Sequence, residues 1–181
     1  MRLPSELTLQ LGHTSAFEPA ALHSARALVG SAFDDWTDED WDHALGGVHA
    51  LAWRGAELVG HAAVVQRRLL HQDRAWRAGY VEAVAVHPDW RRRGVGGELM
   101  GALERVIERS YEVGALSASD VGAAFYEQRQ WARWRGPTGV LSPAGLVRTP
   151  DEDGGVFVWP VAPGLALDGP LVCDWRDGDP W

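Results

Sequence analysis

The stretch Tyr80-Val-Glu-Ala-Val-Ala-Val-His-Pro-Asp-Trp-Arg-Arg-Arg-Gly-Val-Gly-Gly-Glu-Leu99 decides the fold. Its first part belongs to a long strand running from Ala75 to His87 and stopped by Pro88. A short loop, Asp89 to Gly96, follows. Leu99, Met100, Leu103, Val106 and Ile107 then mark one apolar face of a helix whose other faces carry Glu98, Glu104, Arg105, Glu108 and Arg109. The first N–H groups of a helix have no intrahelical partner, and the helix dipole makes that end favour an anion. Arg91, Arg92 and Arg93 add positive charge directly before Gly94, Val95 and Gly96, and the glycines let the backbone approach a phosphate closely. A pyrophosphate fits this place. A dinucleotide fingerprint does not, because it needs a third Gly or Ala where Leu99 stands and an opening βαβ unit that is missing here.

Outward from this motif the chain reads as mixed α and β. Leu7 to Leu11 alternates as a first strand. A helix begins at Pro19 with an apolar stripe of Leu22, Ala25, Leu28, Val29, Ala32 and Phe33. Thr37-Asp-Glu-Asp40 is rich in capping residues and opens a short helix ending near Gly46-Gly47. Val48 to Arg54 and Glu57 to Leu70 are strands joined by a turn at Gly55-Ala56, with Gly60 marking a bulge. Gln72-Asp73 is the next turn. After the central motif come a short strand at Ala115-Leu116 and a helix from Asp120 to Gln130, striped by Val121, Ala124 and Phe125. Strands follow at Trp131 to Leu141 and Gly155 to Val161, with residues 142 to 154 and 162 to 181 read as loops.

Composition excludes several chemistries. The 181 residues are 46% hydrophobic and 23% charged, a globular balance that needs no staples for its core. All 17 basic residues are arginine, so lysine Schiff bases, pyridoxal phosphate and the Gly-Lys-Ser/Thr phosphate loop are out. The single cysteine, Cys173, forms no intrachain disulfide, and we read it as packing rather than nucleophile. The seven histidines show no metal-ligand spacing, so no metal is expected; His43, His49 and His61 are read as packing or polar satisfaction. With neither an apolar span nor a secretory signal visible, a cytoplasmic protein that binds no membrane is expected.

A net charge of −8 argues against nucleic acid and for a cationic partner. Asp34, Asp35, Asp38, Glu39, Asp40 and Asp42 crowd one segment. Asp151, Glu152, Asp153, Asp168, Asp174, Asp177 and Asp179 crowd the last part against Arg176 alone. Such runs most often face water. The sharper reading is two remote acidic segments converging on one polycation, with Trp36, Trp41, Trp175 and Trp181 interleaved among them. Core packing also explains several of these tryptophans.

The strand, the Arg91-x-x-Gly94-x-Gly96 turn and the helix resemble the GNAT acetyltransferase superfamily, as does Phe125-Tyr126 followed by Gln130-Trp131, although Gln130 stands where glycine is usual. Asp34-Asp-Trp-Thr-Asp-Glu-Asp-Trp-Asp-His, Gly46-Gly-Val-His-Ala-Leu, His61-Ala-Ala-Val-Val-Gln-Arg-Arg-Leu and Cys173-Asp-Trp-Arg-Asp-Gly-Asp-Pro-Trp are similar, over essentially the whole chain, to the mycobacterial aminoglycoside 2′-N-acetyltransferases. The resemblance implies an α+β fold, a central, mostly antiparallel, splayed sheet flanked by helices. It implies a single domain, residues 1–181, whose acidic tail 162–181 folds back on the substrate site, and a homodimer.

It also implies direct transfer from acetyl-CoA to the 2′-amino group of an aminoglycoside. Glu82 is then the base that takes a proton from the ammonium, with the Trp181 carboxylate assisting, and Tyr126 the acid that protonates the departing thiolate. The residues alone leave Glu82 equally open to an ion pair with Arg77 or Arg68. Backbone N–H groups at Val84, Ala85 and Val86, freed by a bulge, hold the thioester and the pantetheine arm, and Arg91 to Gly96 hold the pyrophosphate. Asp35, Glu82, Ala83, Ser117, Asp151, Glu152, Asp179 and Trp181 hold the substrate by the same likeness; relatives carry aspartate at position 152. Each close ammonium–carboxylate pair is worth ~4 kcal/mol of gross attraction at an effective dielectric of about 20. Two other functions stay open at this point: acetylation of another amine, such as an amino sugar or polyamine, and binding without turnover.

Overall fold

The computed structural model describes residues 5–181. Two compact units emerge. One holds the chain up to Val65 together with Val81–Val106, the other Gln66–Tyr80 with Ile107–Trp181. Two long strands, β3 (Glu57–His71) and β4 (Arg74–Val86), contribute residues to both.

In the first unit β1 (Thr8–His13) pairs antiparallel with β2 (Val48–Arg54), and β2 with β3. The β2–β3 register shifts between Ala52 and Trp53, which puts a bulge beside Gly60 as the sequence suggested. Gly60 has a second role. A Cβ there would meet Leu99 and Val95 at 2.9 Å, so its absence lets α3 (Val95–Ser110) lie directly on β3. The helix α1 (Pro19–Gly30) buries Ala25, Leu28 and Val29 of the expected stripe, but Phe33 stays 41% exposed and stacks on Trp36. The short α2 (Asp38–Ala44) starts in a capping box, with the Thr37 hydroxyl bonded to the Asp40 N–H and the Asp40 carboxylate to the Thr37 N–H. That box explains several charges of the first acidic run as helix initiation. Trp41 is core, packed with Leu28, Val29, Leu51 and Ala85.

In the second unit the strand order is β6-β9-β5-β4-β3-β10-β7-β8. It comprises β5 (Val113–Ser117), β6 (Ala132–Arg133), β7 (Thr138–Ser142), β8 (Gly145–Arg148), β9 (Val156–Pro160) and β10 (Leu171–Asp174), with α4 (Asp120–Gln128) between β5 and β6. Two ladders are parallel, β4–β5 and β10–β7; β5–β9, β6–β9, β7–β8 and β10–β3 are antiparallel. The β3–β4 hairpin turns on Gln72 and Asp73, both with positive φ, as a two-residue turn requires.

Four readings of this half need correction. The strand expected from Trp131 to Leu141 is two strands, broken at Arg135-Gly-Pro137, where Gly136 crosses Gly169 so closely that a Cβ would fall 1.8 Å from its carbonyl oxygen. Residues 142–154 are not all loop, because β8 pairs back on β7. Residues 162–181 contain β10, inserted between β3 and β7; its four residues gain strand structure from two neighbours rather than from their own pattern. Finally, α4 turns Ala123 and Tyr126 inward and leaves Val121 94% exposed. Packing of the Tyr126 ring on Phe125, Trp131 and Phe157 outweighs the aliphatic stripe.

Candidate active site

In the first unit β4 ends at Val86, and His87 caps a short 3-10 turn by accepting the Asp89 N–H on Nδ1. Arg91 closes the loop through a hydrogen bond from Nε to the Val86 carbonyl, 3.1 Å. Arg92 and Gly94 then take positive φ, 59° and 86°, and α3 begins at Val95. The guanidinium groups of Arg93 and Arg54 both stack on Trp90, at 5.1 and 5.6 Å from the ring centre. Three exposed arginines thus surround a helix start whose leading N–H groups have no intrahelical acceptor. This donor set suits a diphosphate, and Gly96 and Gly97 place no side chain at two positions of the first helical turn.

Just upstream, Ala83 adopts φ 54°, a left-handed conformation rare for a residue with a Cβ. The irregularity expected in this strand therefore falls between Glu82 and Val84. Glu82, Ala83, Val84 and Val86 are half-buried and Ala85 is buried. The Ala83 carbonyl accepts a hydrogen bond from His61. Asp35 lies in an exposed turn of the same unit.

The second unit gathers the other acidic candidates. A cleft of about 380 Å³ is lined by Ser117 from the end of β5, Ser119 and Asp120 from the start of α4, Arg133, and Asp151 to Gly155. Ser117 donates to Glu152 at 2.8 Å. Burial pushes the Glu152 carboxyl above its usual range, and the charges of Asp179 and Asp151 push the same way against the Ser117 hydrogen bond. The tail is thus electrostatically coupled to the loop after β8. Asp153 does different work: it accepts from the Thr138 N–H and hydroxyl and pairs with Arg148, and these bonds hold its carboxyl below the usual range.

The last residues are tied down within this unit. Trp181 is 5% exposed, and its indole N–H donates to the Thr149 hydroxyl at 2.9 Å. Arg176 donates to the Asp179 and Trp181 main-chain oxygens. Arg67, 4% exposed, donates to the Asp174 carboxylate, the Asp174 carbonyl and the Pro180 carbonyl, all within 2.8 Å, while its face covers Tyr80. Arg67 and Thr149 were missed from sequence because a clamp of this kind has no local spacing. Cys173 is fully buried, and burial pushes its thiol up to about 11, consistent with packing. Arg77 directs Nε to the Ser110 carbonyl.

Tyr126 is 8% exposed, and burial pushes its hydroxyl up to about 12. It stays protonated through the neutral range. It is not among the residues lining the acidic cleft. Its helix ends at Gln128, and just beyond the C-cap Arg129 the φ of 68° at Gln130 makes it a left-handed position, where the family usually has glycine.

Residues 17–133 match the family described as Acetyltransferase (GNAT) domain. This chain belongs to the GNAT acetyltransferase family. An aminoglycoside 2′-N-acetyltransferase of Mycolicibacterium fortuitum is 51% identical over 179 residues, covering 96% of this chain and 92% of that one. Among solved structures, the GNAT family N-acetyltransferase YhbS from Escherichia coli, in complex with CoA, aligns with a TM-score of 0.68 at 14% identity, over 98% of this chain and 93% of that one. A GCN5-related N-acetyltransferase from Kribbella flavida aligns at 0.58 and 22% identity over 71% of this chain, which spans only 34% of that one. These structural likenesses carry the GNAT fold.

Proposed function

We propose that this chain transfers the acetyl group of acetyl-CoA to the 2′-amino group of an aminoglycoside, directly and without an acyl-enzyme. The observation that carries this reading is the acidic cleft: Ser117, Asp151 and Glu152 line it, and the charge of Asp179 in the tail acts on Glu152, in a chain of the GNAT acetyltransferase family. Burial, with the charges of Asp179 and Asp151 adding to it, disfavours the Glu152 anion, and an ammonium group bound beside it would favour that anion again. The 51% identity to a 2′-N-acetyltransferase supports the regiochemistry.

Acetyl-CoA supplies an acetyl group activated as a thioester. Arg91, Arg92 and Arg93, with the N–H groups at Gly94 to Gly96, hold its diphosphate. The left-handed turn at Ala83 redirects the backbone so that N–H groups of Val84 to Val86 serve the thioester oxygen and the pantetheine arm. Glu82 takes the proton that the bound ammonium must lose before it can attack. Tyr126 keeps its proton at neutral pH and gives it to the sulfur as the carbon–sulfur bond breaks. Because that hydroxyl is weakly acidic, transfer follows the growth of negative charge on sulfur rather than preceding it. Asp35, Ala83, Ser117, Asp151, Glu152, Asp179 and Trp181 bind the substrate. The fixed tail of residues 162–181 is part of that site in a single functional domain, and the protein works as a cytoplasmic homodimer.

The test is CoA release with paired aminoglycosides that differ only at the 2′ position. Turnover of the 2′-amino member, and none of the 2′-hydroxy member, is expected. Equal rates would refute the regiochemical reading and favour a general amine acceptor. No CoA release with either member would favour a binding module.

A further inference from the structure

A chain of hydrogen bonds crosses the core of the first unit and ends on the strand that carries Glu82. His61 Nδ1 lies 2.8 Å from the Ala83 carbonyl oxygen, His61 Nε2 lies 2.9 Å from His49 Nδ1, and His49 Nε2 lies 2.8 Å from the Thr14 hydroxyl. The Gly46 N–H donates to that hydroxyl at 2.9 Å. Both imidazoles are fully buried. Trp41 packs on both rings, and Phe17 meets His49 edge-on. Among the described residues no group of three metal-ligating side chains includes them.

The directions of these bonds are fixed. A carbonyl oxygen only accepts, so His61 carries its proton on Nδ1. Burial holds both rings well below their ordinary pKa, His61 at about 3 and His49 at about 4, so both are neutral at pH 7. The unprotonated Nε2 of His61 must then accept from His49 Nδ1–H, and Nε2 of His49 from the Thr14 hydroxyl. The Thr14 hydroxyl lies farther, 3.3 Å, from its other acceptor, the Gly47 carbonyl. All donors point one way, from Gly46 through Thr14, His49 and His61 to Ala83, an arrangement in which each bond polarises the next. Because the chain ends on a carbonyl, which has no proton to pass on, it carries no protons to or from Glu82.

We propose that His61 and His49 are positioning residues for acetyl transfer: an oriented hydrogen-bond strut that holds Ala83 left-handed and thereby sets the direction of the Glu82 carboxylate and of the Val84–Val86 N–H groups. This rests on the reading of Glu82 as the base. The strut anchors on the turn at Thr14 and the loop at Gly46, away from the reacting atoms in sequence, and acts through one carbonyl.

The test compares His61→Leu, which removes both bonds, with His61→Asn, whose amide nitrogen can occupy the place of Nδ1 and donate to Ala83. His61→Leu should lower kcat about 30-fold, with both KM values changed less than about threefold, and His61→Asn should recover most of the loss. Glu82→Gln is assayed alongside. If it stays active, the base assignment fails, and the strut's catalytic role falls with it. If it is inactive while His61→Leu keeps full kcat, the strut alone is refuted. Equal losses in the Leu and Asn variants, or a loss that follows thermal stability, would also overturn it. Should His61→Leu not fold, nitrogen-15 NMR of the wild-type histidines decides: neutral Nδ1–H tautomers at His49 and His61 are expected, and an Nε2–H tautomer at either contradicts the strut.

Discussion

Gln130 shows how one residue stores a small strain. Its φ of 68° closes α4 and presents Trp131 to the core, a conformation that costs a residue with a Cβ roughly 1 kcal/mol relative to glycine. Gln130→Gly should therefore raise the unfolding free energy by about 1 kcal/mol and Tm by about 2–4 °C, read by urea and thermal denaturation. An unchanged or lower stability would show that the glutamine side chain offsets its own strain. The buried histidines predict a pH effect of defined sign. Well above pH 6.5 His49 and His61 are neutral in both folded and unfolded states. As the pH falls below 6.5 the unfolded chain binds protons that the folded chain refuses until about pH 4 and 3, so stability drops. By pH 4 the loss is on the order of 3 kcal/mol for each ring, and for His61 it continues to about pH 3. Between pH 6.0 and 5.0, where few carboxylates titrate, urea unfolding should show a falling stability, and the slope should vanish in His49→Gln/His61→Gln. A flat profile in the wild type would contradict the burial of neutral rings.

At the scale of elements, a buried arginine ties the end of β10 to the residues after it. Arg67→Met keeps much of the side-chain volume but removes three hydrogen bonds to Asp174 and Pro180. It should destabilise the protein by about 3 kcal/mol and, by loosening the tail, raise the aminoglycoside KM about tenfold with the acetyl-CoA KM unchanged. An unchanged aminoglycoside KM would place the tail outside the substrate site. Strands β2, β3 and β4 were legible within a residue or so, because long runs rich in apolar residues are bounded by clear punctuation at Gly55-Ala56, Gln72-Asp73 and Pro88. β10 was not legible. Leu171 to Asp174 is too short to show a period, and its strand identity comes from insertion between β3 and β7. The α4 stripe was misassigned because nine residues admit two apolar faces, and only the aromatic neighbours of Tyr126 choose between them.

At the scale of the whole molecule, each unit carries charge of its own sign. The first unit presents the arginine turn at the start of α3, and the second presents the carboxylates around Glu152. With a net charge of −8, binding of a polycation should weaken with ionic strength. The aminoglycoside KM is expected to rise several-fold between about 50 and 500 mM salt while kcat holds, in steady-state assays; a salt-independent KM would argue for recognition by shape alone. The arginine turn before α3 was readable because its glycines and arginines are contiguous. The acidic cleft was readable only in part: sequence showed the runs, and that Thr37 to Asp40 open a helix, but not that Asp153 braces Thr138 and Arg148, or that Ser117 meets Glu152. The histidine strut was invisible, because the β2–β3 register that sets His49 diagonal to His61 arises only on folding. The most direct measurement is the position of the new acetyl group. An aminoglycoside with amines at several ring positions, converted to completion and mapped by two-dimensional NMR, should carry one acetyl group, on the 2′ nitrogen. Acetylation at any other nitrogen, or a mixture of positions, would contradict the account.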